Sequence, residues 1–291
     1  MIGVLGGTGV TGGQVVAALK AKGADFTCIV RDTEAAKAKL GDDVKVVQGD
    51  LSDPDSLDKA FEGLDTLYLM CGHSPKLQEF ELNGLEAAKR TGISYIVESS
   101  GSERGVTPDN ASKIMQMHYH VENAVRDSGI KWAISRPNFF MSNLMGMAEP
   151  VAKMGKLITA LPPETAISMI HPADIGESVA ELLTNQDHAG KEYFLTGPLI
   201  TMSHIVSTLS DVLGKEIEYM QVAPEAARKA MEDKGLPDWL MNHMGAVMGF
   251  CAQGGMAGET DWVEQLSGHA PRTIADWVIS SKAAFGAVSE K

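Results

Sequence analysis

The N-terminal stretch MIGVLGGTGVTGGQVVAALKAKGADFTCIVRD, residues 1–32, sets a short apolar run against a cluster of glycines and then a periodic apolar segment. Ile2–Leu5 reads as a strand and Val10–Lys22 as a helix, which places Gly6, Gly9 and Gly12 as GxxGxxG in the turn and the first helical turn. Missing side chains there serve a tight turn, backbone approach to a pyrophosphate and close helix-on-strand packing. A diphosphate on the helix N-terminus meets free N–H groups and the positive end of the macrodipole, so Thr8, Val10 and Thr11 join the glycines as expected cofactor-binding residues. A flexible turn that binds nothing is the competing reading, and the β/α units that follow argue against it.

Outward from this stretch, β-rich runs at Phe26–Val30, Val44–Val47, Thr66–Met70, Tyr95–Glu98 and Trp132–Ser135 alternate with helical patterns at Val10–Lys22, Ser56–Phe61, Lys76–Arg90 and Ser112–Asp127. Gly23, Gly63, Gly92 and Gly129 stand where helices stop. The alternation predicts an α/β fold, a doubly wound parallel sheet of Rossmann type. After Arg136–Pro137 the rhythm weakens, returns in ISMIHPADIGESVAELL and EYFLTGP, and gives way to a helix-rich, Met-rich tail. The expected division is a nucleotide-binding domain of residues 1–137 and 166–197, with a smaller discontinuous lobe of 138–165 and 198–291 for substrate.

The second strand ends in CIVRD, where Arg31 can pair with a 2′-phosphate and favours NADP; Asp32 can face the ribose itself, so NAD stays open as the lesser alternative. Asp50 in QGDLSD suits an adenine-edge hydrogen bond or a plain turn, with Leu51 beside it. Ligands of open α/β sheets collect beyond the carboxyl ends of strands, so Cys71, Gly72 and His73 after the fourth strand and Ser99 and Ser100 after the fifth are expected to border the cofactor.

The whole chain has 291 residues, 44% hydrophobic and 22% charged, enough for a sizeable core. A net charge of −13 and a pI near 5.0 would repel phosphate backbones, so nucleic acid is not an expected ligand. No apolar stretch reaches the roughly 20 residues of a membrane span, and Met1 runs into the first strand without a basic leader. Three scattered cysteines, Cys28, Cys71 and Cys251, read as reduced buried thiols of a cytoplasmic protein. HExxH, paired Cys/His, GxSxG and a complete EF-hand spacing are all missing, so no metal and no hydrolase is expected.

With GGTGVTG, RD, GDLSD, SSGS and VENAVRDSGIKWAISRPNFFMSNL in view, and then HPADIGESVAELL, YFLTGP and PRTIADWV, the chain resembles the NmrA-like branch of the atypical short-chain dehydrogenase/reductases almost to its C-terminus. The resemblance implies a Rossmann domain, NAD(P)H binding and either reduction of quinones, azo compounds or related electrophiles, or cofactor sensing without turnover. YLMCGHSP is also similar to ergot-alkaloid dehydrogenases of this branch, which reduce an iminium group.

Short-chain dehydrogenases carry Tyr-xxx-Lys on the helix after the fifth strand, the Lys lowering the Tyr pKa. Aligned through Glu122, His118 takes the Lys position and Ile114 the Tyr position, so the usual acid is missing. Relatives that reduce benzylic ethers and isoflavones place a Lys where His118 stands. His118 is therefore the candidate proton-handling group, with Glu122 at i+4 expected to orient its ring; simple ribose binding or packing is the alternative. Tyr119 lies about 100° further around the helix and is the second candidate. His120 and His73 are weaker, and His171 before Pro172 is expected to cap and pack.

Pro137, Asn138 and Phe139 leave the sixth strand towards the nicotinamide end expected of this fold. Phe139, Phe140 and Met141 are expected as an apolar substrate wall, with Asn138 as polar anchor. Fourteen of the sixteen methionines fall from Met115 onward, and Met241, Met244 and Met248 form one helical stripe, with Met241 assigned to substrate and core packing the competing cause. The expected protein is an NADPH-dependent reductase acting on a small electrophile, with homodimerisation through the same apolar surface left open. The alternative is an NADP(H) sensor that signals through protein partners.

Overall fold

A computed structural model describes residues 1–286. The first half runs β1 (Ile2–Leu5), α1 (Val10–Ala21), β2 (Phe26–Val30), α2 (Thr33–Leu40), β3 (Val46–Gln48), α3 (Pro54–Ala60), β4 (Thr66–Leu69), α4 (Leu77–Thr91), β5 (Tyr95–Ser99), α5 (Lys113–Arg126) and β6 (Lys131–Pro137). It continues with a 3-10 segment at Met141–Met147, α6 (Ala148–Met154), β7 (Lys156–Thr159), β8 (Ala166–Ser168), α7 (Pro172–Thr184) and β9 (Lys191–Leu195). Then follow β10 (Leu199–Thr201), α8 (Met202–Leu213), β11 (Glu218–Gln221), α9 (Pro224–Asp233), α10 (Asp238–Ala252), α11 (Trp262–Ser267) and α12 (Ile274–Ser281).

Two compact units divide the chain: Met1–Pro137 with Pro172–Leu195 and Trp262–His269, and Asn138–His171 with Thr196–Asp261 and the segment from Ala270 onward. Trp262–His269 packs in the first unit, where the Trp262 ring stands edge-on to Tyr193 at 5.0 Å. Among the described residues, no helix is long and apolar enough to cross a membrane.

The first unit holds a seven-stranded sheet in the order β3-β2-β1-β4-β5-β6-β9, every neighbouring pair parallel. Strands such as IGVL and FTCIV are buried throughout, with Thr27 their one polar side chain, as strands covered on both faces must be. Chain order reverses between β1 and β4, the switch point at which open α/β sheets form their ligand crevice. The four helices expected from sequence are present to within two residues at each end; α2 is an addition, nucleated by Asp32, whose carboxylate accepts from the Ala35 N–H at 3.0 Å.

The second unit is built on Phe139, Met141, Leu144, Leu157, Met169, Ile205, Leu209, Trp277 and Phe285, with two two-stranded sheets, β10-β8 and β11-β7, at its edges. This core corrects the substrate wall expected from sequence. Met141 is fully buried and Phe139 nearly so, because the segment is stitched to Ile170: Ile170 N–H donates to the Phe139 carbonyl at 2.9 Å and Met141 N–H to the Ile170 carbonyl at 3.0 Å. Phe140 is half-buried, Met241 is buried and Met244 exposed, so that methionine stripe is divided between packing and surface.

Candidate functional site

The glycine turn does what its pattern requires. Gly6 has φ +67°, and a Cβ there would stand 2.5 Å from Met70 Cε. A Cβ on Gly12 would meet the Gly6 carbonyl oxygen at 2.2 Å, so α1 can begin against the turn only without a side chain. Gly9 occupies the N-cap with no side-chain cap, and the first turn of α1 carries no acidic residue. The N–H groups of this turn therefore have no side chain competing for them, and an anion suits them electrostatically.

Beside this turn a groove of about 620 Å³ runs along the carboxyl ends of β1, β2 and β4. It is lined by Gly6, Thr8, Arg31, Asp50, Leu51, Cys71, Gly72 and His73, together with Asp32, Ala35, Ala36, Lys39, Met70, Ser74 and Phe80, which sequence reasoning had not assigned except for Asp32. Arg31 is exposed and makes no ion pair among the described residues. Asp32 Oδ1 accepts from the Ala35 N–H as the helix cap, so the cap reading applies to that oxygen. Asp50 closes an Asx turn, its Oδ1 accepting from the Ser52 N–H at 2.8 Å, so the turn reading applies to that oxygen.

Cys71 is half-buried rather than buried, its thiol pushed up to about 12 by burial first and by the neighbouring Glu81 second. Its backbone N–H donates to Glu81 Oε1 at 2.8 Å, tying the loop after β4 to α4.

The remaining expected residues lie away from the groove lining. Gly9 and Val10 are exposed at the head of α1, while Thr11 is half-buried. Ser99 and Ser100 are buried at the end of β5, and Ser100 Oγ donates to Glu122 Oε1 at 2.6 Å. Pro137 is buried as the last residue of β6, paired with Leu195. Asn138 is 2% exposed and donates both amide hydrogens to backbone, to Ser168 O at 2.9 Å and Met256 O at 3.0 Å. Its amide nitrogen thereby braces the second unit and is not available to a ligand as a donor.

Glu122 does not orient His118. Its carboxylate receives Arg136 Nε at 2.8 Å, Arg136 Nη2 at 2.6 Å, Arg126 Nη2 at 2.7 Å and the Ser100 hydroxyl. Burial alone would raise this carboxyl, but the hydrogen bonds from Arg136 and Ser100 hold it below the usual range. The groups that meet His118 are Glu98 of β5 and Glu81 of α4, their ligand-type atoms and its own lying within 4.8 Å of one another. The sequence argument missed both: Glu98 is the penultimate residue of a mostly apolar strand and Glu81 is one of several acidic residues on its helix. Tyr119 is half-buried and stacks edge-on with the exposed His120 ring at 5.5 Å. A second His/carboxylate group joins His269 to Glu177 at 2.6 Å, with Asp174 beside them.

Comparison with known proteins places these features in company. Residues 1–279 match the model of the NmrA-like family. The chain is 30% identical over 288 residues to an NAD(P)H azoreductase from Xenophilus azovorans, covering 99% of this chain and 100% of that protein. It is 25% identical over 282 residues to quinone oxidoreductase 2 of Escherichia coli strain K12, covering 96% and 97%. The crystal structure of a new type of NADPH-dependent quinone oxidoreductase from Escherichia coli shares the fold with a TM-score of 0.84 at 26% identity, covering 97% of this chain and all of that one.

Proposed function

Because this chain belongs to the NmrA-like family, we propose that it is an NAD(P)H-dependent reductase that acts in the cytoplasm on a small electrophile of quinone, azo, enone or imine type, with no nucleic-acid partner. One observation carries the reading: a glycine-lined groove at the sheet's switch point, in a chain similar over its whole length to an azoreductase and a quinone reductase. The regulatory alternative is the weaker reading, because the azoreductase and quinone reductase match almost the whole chain.

The described residues fit a dinucleotide. Gly6, Gly9, Gly12, Thr8, Val10 and Thr11 would take the pyrophosphate at the open end of α1, where added Cβ atoms at Gly6 and Gly12 would fill the cradle. Arg31, unpaired and on the groove, would pair with a 2′-phosphate, and Asp50 and Leu51 would border the adenine. Cys71, Gly72 and His73 close the other wall, and Ser99 and Ser100 end the next strand. Bound there, the reduced nicotinamide supplies a hydride. The chain's share is to orient it, to exclude water and to provide a proton, for which His118 is the buried group of suitable chemistry. Burial holds the His118 ring below its usual pKa, opposed by Glu81 and Glu122, so at neutral pH it is uncharged and one ring nitrogen carries a proton it can donate.

Loss of reduced-nicotinamide absorbance, with NADPH and NADH in parallel over quinones, azo dyes, enones and cyclic imines, tests the reading. Turnover of one class with NADPH preferred is the expected result. Tight cofactor binding with no acceptor consumed would overturn it.

A further inference from the structure

Three side chains from three elements of the first unit meet in its interior: Glu81 of α4, Glu98 of β5 and His118 of α5. Glu81 and Glu98 are 0% exposed and His118 is 4% exposed. Glu81 Oε1 is held by the Cys71 N–H of the groove loop; Glu81 Oε2, both Glu98 oxygens and His118 Nδ1 are buried with no hydrogen-bond partner. Two ionised carboxylates in a dry interior repel each other and lose their hydration, so an unneutralised pair is unstable there. The cations nearby are already engaged, Arg136 and Arg126 both bridging Glu122 and Glu192. The low-energy state places a proton on the carboxyl pair, and the unpartnered acceptor beside it is His118 Nδ1, 3.8 Å from Glu98 Oε1.

We propose that the Glu98 carboxyl, with Glu81 beside it, stores a proton for His118 and resupplies the ring each time His118 acts as proton donor in the reduction. Glu98 is then a positioning residue that works through His118. The inference rests on the reductase reading above. Directions of titration agree with it: burial, then Glu122, raises Glu98 well above the carboxylate range, burial raises Glu81 to about 8, and burial lowers His118. The charged and titratable groups facing the cluster are Glu122, Arg126, Arg136, Glu192 and, from β4, Tyr68.

For a quinone, the hydride and its electron pair yield the hydroquinone monoanion. The His118 Nε2–H bond then breaks as an O–H bond forms on that oxygen, while Nδ1 takes the Glu98 proton. The ring ends neutral in its other tautomer; a solvent proton taken up at Nε2 and return of the Nδ1 proton to the Glu98 carboxylate restore the starting state. One hydride and one proton complete the hydroquinone, and the nicotinamide leaves oxidised by two electrons. The Nδ1 to Glu98 separation closes to a hydrogen bond with a shift of about 1 Å, and catalytic contacts are often long before substrate binds.

The first test needs no turnover. Infrared spectroscopy of the cofactor-free protein at pH 7 is expected to show carbonyl absorption of protonated buried carboxyls, shifted in D2O, of which Glu98→Gln removes the Glu98 component and leaves that of Glu81. A wild-type protein without that Glu98 component, or one that retains a divalent cation on these three residues after purification, would overturn the proposal. The second test compares two acceptors: a quinone, which needs hydride and proton, and a cationic triarylmethane dye, a carbocation completed by hydride alone. Glu98→Gln is expected to lower the ratio of quinone to dye turnover by about 10²-fold, the low end of general acid catalysis, and to flatten the pH profile of quinone turnover, with Glu98→Asp partly restoring both. An unchanged ratio in a folded, cofactor-binding Glu98→Gln protein would refute proton delivery even with the band present. If neither acceptor is reduced by wild type, the reductase reading falls and this proposal with it, while the infrared band still reports where the proton sits.

Discussion

Arg136 grips Glu122 in a two-pronged pair, Nε to Oε1 at 2.8 Å and Nη2 to Oε2 at 2.6 Å, joining β6 to α5 inside the first unit. Glu122 is 1% exposed, and both Arg136 and Arg126 reach on to Glu192 of β9, so three elements share one charge network. Removing one partner leaves a buried charge unpaired. Arg136→Met is expected to destabilise the protein by about 3–5 kcal/mol, read from the midpoint of denaturant unfolding at unchanged slope. A loss below about 1 kcal/mol would show the network to be solvated.

Gly12→Ala places a Cβ against the Gly6 carbonyl, 2.2 Å away, so the turn and α1 must separate. The expected effect is a loss of dinucleotide affinity of at least about tenfold, equal to about 1.4 kcal/mol. Calorimetric titration with NADPH measures it, and wild-type affinity would show that the cofactor does not use this turn.

Arg31→Ala tests cofactor choice. A charged hydrogen bond contributes about 1.5–3 kcal/mol, so NADPH binding should weaken by roughly 10–100-fold while NADH binding changes little. Selective NADPH binding that survives the substitution would remove Arg31 from the 2′-phosphate site.

Asp32→Ala separates a helix cap from a ribose ligand. Loss of the Asp32 bond to the Ala35 N–H should cost about 1 kcal/mol of stability and leave NADH affinity as it was. A marked fall in NADH affinity would return Asp32 to the ribose.

Stability should also fall with rising pH. Glu81 loses its proton near 4.5 when unfolded but at about 8 when buried, so between those values the folded state binds the extra proton and stability declines as pH rises. Glu98, raised by burial, acts in the same sense, whereas His118, lowered by burial, opposes them below its ordinary range. Each carboxyl contributes up to about 1.4 kcal/mol per pH unit in its window. Denaturant midpoints between pH 5 and 8 for wild type and Glu81→Gln should differ in slope, the variant being flatter; parallel curves would place an ionised Glu81 in the fold.

The local code is written in short-range sequence. Ile2–Leu5, the glycines after it and the alternation that follows are legible because strand and helix periodicity, helix-stopping glycines and a turn that tolerates no Cβ are properties of neighbours along the chain. α2 escaped the reading because TEAAKAKL has almost no buried stripe, Ala36 being its single buried residue.

What the sequence determined by itself was therefore the parallel α/β unit and the glycine turn. Tertiary structure alone decided that Asn138, Phe139 and Met141 brace a core, and that Glu122 belongs to Arg136 rather than His118. It alone also brought Glu81 and Glu98, on separate elements, against His118. The reason is physical: the roles of polar groups in a dry interior are set by which partners lie within about 3 Å, and those partners come from distant segments that no local pattern encodes.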